Sequence, residues 1–182
     1  STNLGDKLSV PEGHYTHAKA RHTGNLWLRH AKRWRHFDAA ASAGVSLTPY
    51  GTSALWSLSA GYAPAAGLRL EAGAWQSMRL PTFTDLYYTS PAQINNLDLT
   101  PEHAVTYRLG VDYLKRSWNL SAQAYYRSGR DIIDWVWRED MGSKWHSEQT
   151  SSLDTFGIEL AGGYTVSEGF LRRVTLSYGY IT

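Results

Sequence analysis

At 182 residues with no cysteine, 42% hydrophobic and 19% charged side chains, the chain is long enough to bury a core, and a disulfide scaffold is excluded. No stretch approaches the roughly 20 apolar residues of a membrane-spanning helix, and the opening STNLGDKLSVPEGH has neither the basic start nor the apolar run of a secretory signal. A net charge of 18 − 16 = +2 is too balanced for a nucleic-acid groove, while eight Trp and twelve Tyr against four Phe give rings that mostly carry a polar tip, suited to surfaces half apolar and half wet.

Helical periodicity is weak, and period-two alternation recurs from about residue 24 to the end, which predicts an all-β chain of antiparallel up-and-down strands. About eight strands are expected, near 24–31, 35–47, 54–63, 68–79, 104–114, 118–137, 148–166 and 173–182. The turns at 63–67 and 115–117 are tight, 80–103 is a long loop, a medium loop spans 139–146, and a shorter link opens at 166–169. Short links at one end and longer ones at the other suit an up-and-down barrel with unequal rims.

Parity sharpens this, because alternate side chains of a strand share a face. One face carries no charge: Ala54, Trp56, Leu58, Ala60 and Tyr62; Leu68, Leu70, Ala72, Ala74, Gln76 and Met78; Val105, Tyr107, Leu109, Val111 and Tyr113. It continues through Trp118 to Tyr126, Phe156 to Tyr164 and Val174 to Tyr180. The other face holds Arg69, Glu71, Arg108, Asp112, Gln123, Arg127 and Glu159. A soluble sandwich shows the same alternation, but Tyr62, Tyr113, Trp118 and Tyr164 collect at the short turns on the apolar parity, as an aromatic girdle at a headgroup layer requires. A mean hydropathy of −0.41 is no objection, since alternation of lipid-facing and lumen-facing residues averages to a polar value.

Arg79-Leu80-Pro81-Thr82-Phe83-Thr84-Asp85-Leu86-Tyr87-Tyr88, then Asn95-Asn96-Leu97-Asp98-Leu99-Thr100-Pro101-Glu102, then Thr106-Tyr107-Arg108-Leu109-Gly110 follow in order. With Ala124-Tyr125-Tyr126-Arg127, Asp131-Ile132-Ile133-Asp134-Trp135 and Gly157-Ile158-Glu159-Leu160, this run resembles the barrel of TonB-dependent outer-membrane receptors. The resemblance covers residues 79–166 well and the first 78 only by compatible alternation. It implies an outer-membrane barrel of 22 antiparallel strands, plugged by an N-terminal domain and energised by the TonB complex of the inner membrane. Eight strands are about a third of that, no plug or coupling box is visible before residue 24, and Gly179-Tyr180-Ile181-Thr182 lacks the usual terminal Phe. The whole chain, 1–182, is therefore expected to be a fragment of one barrel domain that self-associates or curls to cover its edges and its apolar face.

The wording of the first box looks closest to the cobalamin-receptor branch, with siderophore receptors next; haem receptors place a His between the boxes, and 81–94 has none. Tyr87, Tyr88, Gln93, Asn95 and Asn96 fall in the long loop at the outward rim and are the candidate contacts for a small-molecule nutrient, rings supplying area and amides orientation. A plainer reading makes Tyr87 and Tyr88 outer girdle or loop packing, and Arg79 and Asp85 supports of the loop base. The polar-parity residues would face the lumen and the plug, the apolar ones outer-membrane lipid.

Other chemistry finds little support. Five of seven histidines precede residue 37, but His14-x-x-His17 lacks a third partner at metal-ligand spacing, so no metal or cofactor is expected. Lys32-Arg33-Trp34-Arg35 reads as a basic turn at a membrane surface, too short for a nucleic-acid patch. Asp131 and Asp134 face opposite sides of a strand, and neither a Gly-x-Ser-x-Gly elbow nor a phosphate loop is present, so no enzyme or catalytic residue is expected. The rival class is a soluble β-sandwich carbohydrate-binding module using Trp135, Trp137 and Trp145 as a stacking platform.

Overall fold

The computed structural model describes residues 14–15, 20–166 and 173–182. Its elements in chain order are β1 (His14–Tyr15), β2 (Gly24–Arg33), β3 (Phe37–Thr48), β4 (Gly51–Ala65), β5 (Leu68–Arg79), α1 (Phe83–Tyr87), β6 (Tyr88–Thr89), β7 (Gln93–Ile94), β8 (Glu102–Lys115), β9 (Trp118–Arg138), β10 (Lys144–Thr165) and β11 (Arg173–Ile181). The eight long strands form one antiparallel sheet in the order β11-β10-β9-β8-β5-β4-β3-β2, with β7 parallel to the start of β10. β1 pairs only with β6. Among the described residues the sheet is open, with β2 and β11 as its edges, so the chain does not curl into a closed barrel of its own.

All eight anticipated strands are present. Trp34, Arg35 and His36 form the β2–β3 turn, closed by Trp34 N–H donating to Phe37 O at 2.6 Å, so β3 starts two residues later than the alternation suggests. The long connection contains the short helix α1 and two short strands, β9 ends one residue later than expected, at Arg138, and β10 starts four residues earlier, at Lys144 within the 139–146 segment. The turn between β4 and β5 requires Gly67: its φ of +81° lies in the left-handed region, and a Cβ there would sit 2.0 Å from Leu114 O. The expected loop at 166–169 lies largely outside the described residues, as does the His14-x-x-His17 spacing apart from the backbone of His14–Tyr15.

Backbone pairing tests the parity without reference to side-chain chemistry. Following the register across the sheet from Phe37 gives Tyr62, Leu70, Val111, Ala122, Leu160 and Tyr178, an apolar or aromatic residue on each long strand from β3 to β11. The neighbouring row is Arg33, Asp38, Gly61, Glu71, Gly110, Gln123, Glu159 and Gly179: charge, amide or glycine throughout. A register slip of one residue would exchange the two rows.

Aromatic residues bound the apolar face at both limits. At the short-turn end Phe37 stacks on Tyr62 with centroids 4.3 Å apart, and Trp118 lies 4.7 Å from Tyr164. At the other end Tyr107, Tyr126 and Phe156 are consecutive cross-strand neighbours. This second row bounds the apolar face of the sheet at the end away from the short turns. Beyond it the same face turns polar with Ser128 and Arg130 on β9, Asp154 on β10, and an Arg138–Glu148 pair at 2.6 Å. From Trp118 to Ser128 the strand rises roughly 33 Å, which at the usual tilt is about 25 Å along a membrane normal, the height of an outer-membrane apolar band.

Candidate ligand-facing loop and lumen wall

Above the band, the connection from Leu80 to Pro101 folds onto the polar side of the sheet. Helix α1 begins with a capping box: Asp85 N–H donates to Thr82 Oγ1 at 3.1 Å and Thr82 N–H to Asp85 Oδ2 at 2.9 Å. The Thr-x-x-Asp spacing was the available sequence signal for it. Leu86 and Leu99 from the loop bury against Ile133 of β9, with Tyr87 packed on the cluster, and these side chains form a small apolar core among the described residues.

The loop base is ionic. Glu102, with only 4% of its surface exposed, accepts from the Arg79 guanidinium and, at 2.7 Å, from Ile133 N–H. Burial opposes ionisation of Glu102, yet the Arg79 guanidinium and the Ile133 N–H outweigh it and hold the carboxyl below its ordinary pKa. Arg79 and Asp85 thus hold the loop. Gln149 of β10, which sequence reasoning passed over, adds a second clamp: its amide N–H groups donate to Asp131 O at 2.8 Å and Thr100 O at 3.0 Å, while its oxygen accepts from Thr100.

The five candidate contact residues sit together on this loop but in different roles. Tyr87 lies 6.0 Å from the Phe83 ring and is half-buried, as is Tyr88 at the start of β6. Gln93 is held by backbone pairing, its neighbour Ala92 O accepting from Trp145 N–H at 2.9 Å and Gln93 itself lying beside Trp145 in register. Asn95 donates to Leu86 O at 2.6 Å and accepts from Thr89 Oγ1 at 2.6 Å; Asn96 N–H donates to Asp85 O at 3.1 Å while its side chain accepts from Asp98 N–H. The asparagine side chains therefore shape the loop. Trp137 and Trp145 meet edge to face at 5.6 Å on the β9–β10 hairpin beside Gln93, and both stay exposed. Trp135 lies on the same face, opposite Ser147.

On the lumen-parity face the charges form a ladder. Arg69 of β5 reaches across β4 to grip Asp38 of β3 with two bonds of 2.8 and 3.1 Å, and bonds Glu71 at 2.7 Å; Arg108 of β8 approaches Glu71 at 3.6 Å. Gly61 makes the crossing possible, since a Cβ there would lie 2.2 Å from Arg69 Nη2. Gln123 donates to Glu159 farther along the same wall. Asp112 stands opposite Arg69 in register, but that guanidinium is already committed to Asp38 and Glu71; Arg127 lies exposed on the same parity, opposite Thr106. Asp38 and Gly61 complete the ladder and are the members that sequence reasoning did not pick.

The chain matches the family described as "TonB dependent receptor-like, beta-barrel" over residues 18–182. It is 26% identical over 134 residues to the vitamin B12 transporter BtuB of Photobacterium profundum, covering 72% of this chain and 21% of that protein. Among solved structures it is similar to the siderophore receptor PirA from Acinetobacter baumannii, with a TM-score of 0.70 at 17% identity over 87% of this chain and 27% of that one. The FrpB iron transporter from Neisseria meningitidis (F3-3 variant) gives 0.66 at 11% identity, over 87% and 25%. The chain spans about a fifth of the curated relative's length, and these relatives are transporters and receptors rather than enzymes. It belongs to the TonB-dependent receptor-like β-barrel family.

Proposed function

We propose that this chain is barrel wall of an outer-membrane active-transport receptor, energised through TonB, that imports a large scarce nutrient such as a cobalamin or a ferric siderophore. The observation that carries the reading is the pair of neighbouring registered rows, one apolar across the sheet and one charged or glycine, with aromatic residues at both limits of the apolar face. Such a wall meets lipid outside and a hydrated lumen or plug inside. Arg69, Glu71, Arg108, Asp112, Gln123, Arg127 and Glu159 face the receptor's own plug domain or lumen water. Tyr87, Tyr88 and Gln93 contact the nutrient, with Asn95 and Asn96 holding the loop that presents them.

Cut from its barrel, the chain leaves two strand edges and an apolar face uncovered, so the isolated piece self-associates. The test of function is uptake by cells whose only nutrient receptor is the complete protein carrying this segment. Labelled cobalamin, ferric siderophores and haem are offered with and without a working TonB. Uptake of a cobalamin or siderophore that stops without TonB is expected; passage of small solutes indifferent to TonB would overturn the reading.

A further inference from the structure

The basic end of β2 at Lys32 and the wall above it lie outside the loop and ladder described so far. On the apolar parity, Ala39, Ala41, Ala60, Ala72 and Ala74 of β3, β4 and β5 make a low floor, broken by Leu58 in register between Ala41 and Ala74. One wall is His30, Lys32 and Trp34; the other is Leu109 with the outer aromatic residues Tyr107 and Tyr126. The space between is about 950 Å³, at the upper end for a small-molecule site, and no carboxylate lines it.

Its charge is one-sided and placed at one end. The Lys32 ammonium lies 5.3 Å over the Trp34 ring, and Arg35 follows in the turn. The nearest carboxylate in sequence, Asp38, points to the opposite face and is held by Arg69. Lys32 is in register with Ala39, Ala60, Ala72, Leu109 and Ala124, a row of roughly 24 Å perpendicular to the strands. Because barrel strands tilt by about 40°, that row climbs obliquely. It starts beside a short turn at β2 and ends near Tyr126, well above the Trp118 turn on β9. A groove that is cationic at the membrane rim and apolar as it climbs into the hydrocarbon complements one class of molecule.

We propose that this trough holds an acyl chain of a phospholipid from the leaflet at the short-turn rim, with the headgroup phosphate at Lys32. The inference rests on the barrel reading above, under which the short turns face the periplasm and its phospholipid leaflet.

The test uses the complete receptor in nanodiscs of equal phosphatidylglycerol and phosphatidylcholine, with retained lipid read by native mass spectrometry after release. The intact protein is expected to retain about five-fold more phosphatidylglycerol, the contribution of one lysine near a membrane surface. Lys32→Gln abolishes that preference, and Ala60→Leu, which fills the floor without adding polarity, lowers retention of both lipids. Insertion with no headgroup preference, or with Lys32→Gln unchanged, overturns the site alone. Failure of the receptor to enter the bilayer sinks the barrel reading as well. Covalent dimers on oxidation of Ala60→Cys would assign the trough to a second copy and also overturn the proposal.

Discussion

Moving one charge by a single residue along β8 separates the two faces of the wall. Leu109 is 66% exposed on the apolar face. The band on β8 runs from Lys115, in register with Trp118, to Val105, in register with Ser128, so Leu109 lies about 10 Å below the outer limit. An arginine there costs about 2 to 4 kcal/mol, a change of about 30- to 700-fold in the folding equilibrium. Its neighbour Arg108 faces the other way, nearly half exposed and 3.6 Å from a Glu71 that keeps a closer bond to Arg69. Arg108→Leu therefore costs less than about 1 kcal/mol. Both variants of the complete receptor are folded into lipid vesicles across a urea series and scored by gel mobility. A neutral Leu109→Arg, or an Arg108→Leu that is the more damaging of the two, would refute the assignment of faces.

The remaining expectations follow from particular contacts. Gly61→Val drives a Cβ into the Arg69–Asp38 bridge and should lower stability in vesicles by about 1 kcal/mol, with no further loss when Asp38→Asn is added; full additivity of the two would show that the bridge is not what the side chain disturbs. Glu102→Gln removes the charge on the Arg79 and Ile133 bonds and should loosen the 80–101 loop by about 1.5 to 3 kcal/mol, read as faster amide exchange there with the strands unchanged. Because the folded pKa of Glu102, which sits above the apolar band, is lowered, its stabilisation is full above its ordinary value of 4.5 and is lost as pH falls through the lowered value. Loop exchange should accelerate in acid in the parent and stay flat in Glu102→Gln. The isolated chain should sediment as oligomers in detergent-free buffer, and a dispersed monomer would count against exposure of its edges and apolar face.

Strand count and facing were legible because each rests on local alternation, from which His30 and Lys32 of β2 depart on the apolar parity. A strand crossing hydrocarbon alternates, and Tyr62, Trp118 and Tyr164 mark where it stops. The loop was legible only as motifs. Its fold depends on contacts between distant positions, Leu86 with Ile133 and Thr100 with Gln149, that no periodicity announces. Asn95 and Asn96 illustrate the consequence: an exposed amide in a rim loop reads as a ligand contact, whereas here the shortest bonds of the Asn95 side chain go to Leu86 O and Thr89 within the loop itself.

The same physics explains the hairpin boundaries. Above Tyr126 and Phe156 the apolar parity of β9 and β10 lapses: Ser128, Arg130, Asp134 and Arg138 occupy positions that Leu120 and Ala122 hold below. Read for alternation, the sequence breaks into a loop near 139, yet cross-strand bonds continue without a slip to the Arg138–Lys144 pair. Backbone pairing has no need of an apolar outer parity; Arg138–Glu148 and the Trp137–Trp145 contact give the extension its cross-strand side-chain pairs. The strands therefore outlast the apolar band. What rises above it is a hairpin with two exposed tryptophans beside the Gln93 strand.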